Sequence, residues 1–240
     1  MRPDSPVSFH HEVIGVNEIV VVGASLAGLR ACQNLRRANF EGTLTLVGAE
    51  KHLPYDRPPL SKTMLSTEQD PGDLSLISDS DLAELNLNLV LGSPATQLDT
   101  VTHEVTVGDE RIFYDGLIIA TGARARKLLK SDDIGGIHTL RTMEDSLAIR
   151  SALESSSSVV IVGAGFIGSE VAAAARHRGC QVSIIEAGEA PLMRGLGHEV
   201  GSACGRLHQS HGVDLRVGVQ IQNFHGSQTV EEVELTDGSR

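Results

Sequence analysis

The chain is poor in the residues that most often announce a chemistry of their own. Its 240 residues include three cysteines, Cys32, Cys180 and Cys204, with no CxxC and no Cys/His spacing of the kind that holds zinc or an iron–sulfur cluster. No metal site is therefore expected. Ten histidines are present, yet none forms HExxH and none accompanies a nucleophile elbow. His10, His11, His208 and His211 read as solvated surface residues. No stretch approaches the ~20 apolar residues of a membrane-spanning helix, and residues 1–12 lack the apolar core of a signal peptide. Positive charge is in deficit: 20 Lys and Arg against 31 Asp and Glu give a formal charge of −11. With no basic run, this argues against nucleic acid as a partner. Few cysteines and no export signal point to a reducing cytoplasm.

What is present is one pattern written twice. Gly23-Ala24-Ser25-Leu26-Ala27-Gly28 follows the apolar run Ile19-Val20-Val21-Val22, and Gly163-Ala164-Gly165-Phe166-Ile167-Gly168 follows Val159-Val160-Ile161-Val162. Each leads into a helix-like stretch and then a second apolar run ending near an acid, residues 44–50 and 182–186. A lone glycine turn is weak evidence, but strand, turn, helix, strand and acid together form a dinucleotide-binding unit. The first glycine permits the sharp turn, the second lets the backbone approach a pyrophosphate, and the third lets helix and strand pack closely. The unpaired N–H groups of the helix N-terminus then face the phosphates. The second copy matches all three positions with Gly163, Gly165 and Gly168. The first has Ser25 at the second, a small residue able to donate to phosphate.

The acids bear on cofactor choice. Glu186 lies 23 residues after Gly163, where a carboxylate can accept the ribose hydroxyls of adenosine. A 2′-phosphate at about 5 Å and an effective dielectric of ~20 would be repelled by roughly 3 kcal/mol per unit charge, so NADH is expected over NADPH. Arg194, eight residues on, could soften that preference. Glu50 takes the equivalent part in the first unit, 27 residues after Gly23.

Between the units run Leu53-Pro54-Tyr55-Asp56-Arg57-Pro58-Pro59-Leu60-Ser61-Lys62 and, later, Tyr114-Asp115-Gly116-Leu117-Ile118-Ile119-Ala120-Thr121-Gly122. With the first glycine turn, these segments resemble the FAD-dependent, NADH-using ferredoxin reductases of bacterial oxygenase systems, the putidaredoxin and rhodocoxin reductase type. These belong to the wider pyridine nucleotide-disulfide oxidoreductase group. The proline-bearing loop is the most specific element of the resemblance, which runs from about residue 17 to the end. It implies an α/β fold with two Rossmann-like βαβ units of a three-layer ββα type. Residues 1–16 would form a tail, 17–124 an FAD-binding domain, incomplete here, and 125–240 an NAD-binding domain.

The same resemblance implies site residues. Gly23, Ser25, Ala27, Gly28 and Glu50 would hold the ADP part of FAD. Arg57 and Lys62 would approach its pyrophosphate and flavin, Ala95 its adenine side, Thr121 and Gly122 its backbone path, and Arg141 the flavin. Gly163, Gly165, Ile167, Gly168 and Glu186 would hold NADH. Glu170, expected on the first helical turn, would pair with Lys62 beside the flavin, the acid limiting the cost of burying the cation. Against this stands the reading of Lys62 as a solvated loop lysine.

The implied activity is hydride transfer from NADH to FAD, then passage of single electrons to a ferredoxin-like iron–sulfur carrier. The disulfide reductases of the group need two closely spaced cysteines, which are missing, so that activity is excluded. Arg57, Arg124, Arg126, Lys127 and Lys130 are candidates for docking an acidic carrier. Rubredoxin, oxygen or a quinone-like acceptor stays open. The family pattern would continue with a strand, a Gly-Asp motif under the flavin and a C-terminal domain. The chain is therefore expected to be truncated, and a nucleotide-binding fragment without turnover is the remaining alternative.

Overall fold

The Val- and Ile-rich runs before the two glycine turns form parallel strands, because β-branched side chains fit a pleated surface. The computed structural model describes residues 15–128 and 134–240. His10, His11, Lys130 and most of the expected 1–16 tail lie outside the described residues. In chain order the elements are β1 (Glu18–Val22), α1 (Leu26–Arg37), β2 (Thr43–Gly48), a 3₁₀ turn (Pro58–Ser61), α2 (Thr63–Ser66) and a second 3₁₀ turn (Pro71–Leu74). There follow α3 (Asp79–Leu85), β3 (Leu87–Leu91), β4 (Ala95–Asp99), β5 (Glu104–Val107), β6 (Glu110–Phe113), β7 (Gly116–Ile119) and α4 (Met143–Ser155). The last elements are β8 (Ser158–Val162), α5 (Phe166–His177), β9 (Gln181–Glu186), α6 (Met193–Ser210), β10 (Val213–Val217), β11 (Ile221–His225) and β12 (Glu232–Leu235).

Two compact units emerge. The first contains residues 15–55 and Ser75–Gly122; the second contains Asp56–Leu74 and the described residues from Ala123 onward. The proline-bearing loop is thus divided, its Tyr55 in one unit and its Arg57 and Lys62 in the other.

In the first unit, the order β3-β2-β1-β7 makes a four-stranded parallel sheet. Side-chain alternation sends Ile19, Val21, Leu44 and Leu46 toward Cys32 and Leu35 of α1, while Val20, Val22 and Val47 meet Val105, Val107 and Tyr114. The latter group belongs with the antiparallel sheet β4-β5-β6. Helix, parallel sheet and antiparallel sheet are therefore three layers, the expected α/β architecture.

The second unit repeats the scheme with β10-β9-β8, all parallel, and the antiparallel pair β11-β12. Its core gathers Ile161, Val182, Ile184 and Val213 with Val171, Ala172 and Ala175 of α5, Leu153 of α4 and Leu65 of α2. The alternate face of β8 is open, with Val160 and Val162 at 41% and 45% exposure.

One sequence expectation is extended and another corrected. The helix expected near 198–211 is present as the main part of α6, and what the expectation lacked is a short helical turn from Met193 that breaks at Gly197, φ 75°. Gly195 and Gly197 are poor helix formers, which hid the first turn from a propensity reading. Glu170 stands at the start of the second turn of α5, whose first turn carries no acid.

Candidate functional site

The two glycine turns have the same backbone design. Gly23 N–H continues the sheet by donating to Val47 O at 2.8 Å, and Gly163 N–H does the same to Ile185 O at 2.8 Å. Both glycines then adopt left-handed φ, 123° and 98°, which other residues enter only with strain. The third glycine explains itself sterically. A Cβ on Gly28 would lie 2.0 Å from Gly23 O, and one on Gly168 would lie 2.1 Å from Gly163 O. Only a hydrogen lets each helix start directly over its turn. α1 and α5 then present the N–H groups of Leu26, Ala27, Gly28 and of Phe166, Ile167, Gly168, which the helix itself cannot pair.

The second copy is open where the first is not, since a Cβ on Gly23 would lie 2.1 Å from Ala120 O. Hypothetical Cβ atoms on Gly163 and Gly165 meet nothing within 4 Å. This is a cradle that a side chain would fill, as a pyrophosphate site requires. Ser25 caps α1 in extended conformation but makes no side-chain cap hydrogen bond. Its hydroxyl is thus not committed to its own helix. The residues around both turns fit a dinucleotide phosphate.

The two acids are held in different ways. Glu186, at the end of β9, accepts from Ala164 N–H with Oε2 and from Gly188 N–H with Oε1, each at 2.7 Å. The carboxylate is therefore fixed against the second glycine turn. Glu50 lies two residues beyond β2 and accepts from the Tyr55 hydroxyl at 2.6 Å. None of these three bonds was legible in the sequence, although Tyr55 stands in the most specific motif.

In the second unit the structure brings Lys62 and Glu170 together. Lys62 Nζ lies 3.0 Å from Glu170 Oε2 and donates to Pro58 O at 3.1 Å. The pair is only partly shielded, with Lys62 49% and Glu170 30% exposed. The expected buried cation is thus a half-exposed one, and the solvated loop lysine is an ion-paired one. Ser61, buried beside it, donates its hydroxyl to the same Glu170 oxygen at 2.5 Å.

Arg57 and Arg141 also meet in this unit. Arg57 donates to Arg141 O at 2.6 Å, and Arg141 Nε donates to Ala123 O at 2.9 Å. Asp145 fixes the backbone here by accepting from Arg141 N–H and Thr142 N–H while Thr142 caps α4. This capping box is readable as Thr-x-x-Asp, a signal the motif reading passed over. Ala95 opens β4 within the first unit's core, and Thr121 and Gly122 lie exposed just beyond β7. The first unit thus holds Gly23, Ser25, Ala27, Gly28, Glu50, Ala95, Thr121 and Gly122; the remaining expected residues belong to the second.

The surface histidine reading needs revision. His208 is half-buried, and burial followed by the charge of His211 lowers its pKa. His225 contacts Glu234 across the β11-β12 pair at 2.9 Å. Among the described residues, no cluster of three or more His, Cys, Asp or Glu is poised for a metal, and no helix is long and apolar enough to cross a membrane.

The model of the family described as "Pyridine nucleotide-disulphide oxidoreductase" matches residues 17–240. The chain belongs to this family. It is 39% identical over 227 residues to the biphenyl dioxygenase system ferredoxin–NAD(+) reductase component of Paraburkholderia xenovorans, covering 94% of this chain and 55% of that protein. It is 38% identical over 211 residues to rhodocoxin reductase of Rhodococcus erythropolis, covering 87% and 49%. Among solved structures, the covalent putidaredoxin reductase–putidaredoxin complex matches with a TM-score of 0.87 and 32% identity, over 93% of this chain and 55% of that one. The chain spans about half the length of the curated relatives it matches.

Proposed function

We propose that the chain carries the two dinucleotide-binding units of an NADH-dependent FAD oxidoreductase that serves a ferredoxin-like electron carrier in the cytoplasm. The observation that carries this reading is the duplicated glycine turn, each with a third glycine locked over the first and, in the second copy, an open cradle above Gly163 and Gly165. The similarity to ferredoxin–NAD(+) reductase components supports the partner class.

The first unit would hold FAD through the α1 N-terminus, the Ser25 hydroxyl and Glu50, with Ala95, Thr121 and Gly122 along the cofactor's path. The second, in its part from Ala123 onward, would hold NADH through the α5 N-terminus and Glu186. Bound FAD would supply hydride acceptance from NADH and one-electron release to the carrier, chemistry no side chain here provides. The protein's share is to orient and to set charge. Glu186, already fixed by two backbone N–H groups, presents a negative charge that disfavours a 2′-phosphate. Lys62 supplies a positive charge whose position Glu170 fixes, and Arg57 and Arg141 add two more in the same unit. Arg124, Arg126 and Lys127, all exposed, are the described candidates for meeting an acidic carrier.

The test is a visible spectrum of the purified chain before and after adding FAD, then NADH. Flavin bands that survive gel filtration and bleach with NADH are expected. A colourless protein that ignores FAD while binding NADH would overturn the reductase reading for this chain and leave a nucleotide-binding piece.

A further inference from the structure

The ion pair of Lys62 and Glu170 rests on a third side chain. Ser61 is 5% exposed, and its hydroxyl lies 2.5 Å from Glu170 Oε2, the oxygen that also faces Lys62 Nζ at 3.0 Å. Its other acceptor within reach, Pro58 O, is much farther at 3.5 Å. The hydroxyl proton is therefore committed to Glu170. The turn that carries Ser61 is itself anchored, since Ser146 of α4, fully buried, donates to Leu60 O at 2.7 Å. Pro58 and Pro59 open this turn and fix its φ angles. A rigid line thus runs from α4 through Leu60 to Ser61 and on to the carboxylate.

We propose that Ser61 is a positioning residue for the Lys62–Glu170 pair, holding the carboxylate so that the lysine charge stays at one place. This rests on the reading of that pair as functional. A half-exposed ion pair is weak by itself, because two long side chains lose entropy and solvent screens them. A hydrogen bond from a buried hydroxyl to a charged acceptor is stronger and directional. Glu170 is therefore oriented more by Ser61 than by the lysine it serves. Without Ser61 the carboxylate is released to other rotamers, and the Lys62 amine keeps only its bond to Pro58 O.

Competitive amine acylation at fixed pH, read by mass spectrometry on the full chain, tests this, with exposed Lys51 as the internal reference. In Ser61→Ala the Lys62/Lys51 labelling ratio rises about threefold, the size expected from losing a half-exposed ion pair. Ser61→Thr, which keeps the hydroxyl, stays near wild type, and Glu170→Gln rises like Ser61→Ala. If Ser61→Ala does not fold, Ser61→Cys keeps the shape with a weak donor, and a raised ratio is again expected. A wild-type ratio in Ser61→Ala, or in Ser61→Cys where that variant stands in, alongside a raised ratio in Glu170→Gln overturns the role of Ser61 and leaves the pair standing. A wild-type ratio in Glu170→Gln overturns the pair itself, and the proposal with it.

Discussion

Alanine at two glycines of the second turn should separate packing from ligand binding. A Cβ on Gly168 would sit 2.1 Å from Gly163 O, whereas ordinary contact begins at 3.4 Å. The difference, 3.4 − 2.1 = 1.3 Å, is close to the ~1.5 Å rise of one helical residue. Since the obstacle is backbone, α5 must retreat or the turn must deform. Overpacking of this kind costs about 1–3 kcal/mol of stability. It also withdraws the N–H donors of residues 166–168 beyond hydrogen-bond length, so dinucleotide affinity should fall ~100-fold, or about 2.7 kcal/mol.

Gly165→Ala is the contrast. Gly165 has φ −76°, available to any residue, and open space around its Cβ. Stability without ligand should therefore stay within about 0.5 kcal/mol, while the methyl group enters the cradle and weakens dinucleotide binding ~10-fold or more. Urea unfolding of the free protein gives the first quantity, and calorimetric titration with NADH gives the second. Wild-type affinity in Gly165→Ala would refute the cradle. A Gly168→Ala protein as stable as wild type would refute the tight contact.

Other outcomes follow from the same structure. Ser146→Ala removes the donor from Leu60 O and should lower stability by about 1–3 kcal/mol in urea unfolding. In a preparation that holds FAD, Lys62→Met should slow flavin reduction by NADH in stopped flow while changing stability by no more than ~1 kcal/mol; an unchanged rate removes Lys62 from the site. Asp115 accepts from the N–H groups of Asn17 and Glu18, which hold its carboxyl below the ordinary 3.8. Its contribution is complete above about pH 5 and is lost as the pH falls through 3.8 toward the lower folded value. Asp115→Ala should accordingly show less pH dependence of its melting temperature between about pH 5 and 3. Burial pushes the Cys32 thiol up to about 11, so thiol reagents at pH 8 should modify it only after unfolding.

The sequence alone determined the repeated strand–turn–helix–strand scheme, because it depends on local rules. Four β-branched or apolar residues in a row favour a strand, and glycine at residues 23 and 163 supplies the left-handed turn. Spacing also located Glu186 at its strand end. Other features depend on atoms far apart in the chain. Glu186 meets Ala164 across 22 residues, Ser61 meets Glu170 across 109, and Ser146 meets Leu60 across 86. No local periodicity encodes such meetings. Tertiary packing likewise decided that Arg57 and Lys62 belong to the second unit. Leu60, Met64 and Leu65 are 0–3% exposed there, and burying them releases more free energy than the short helix α2 gains from its own hydrogen bonds. Motif residues name the chemistry a chain can hold; the burial of their apolar neighbours decides which unit carries them.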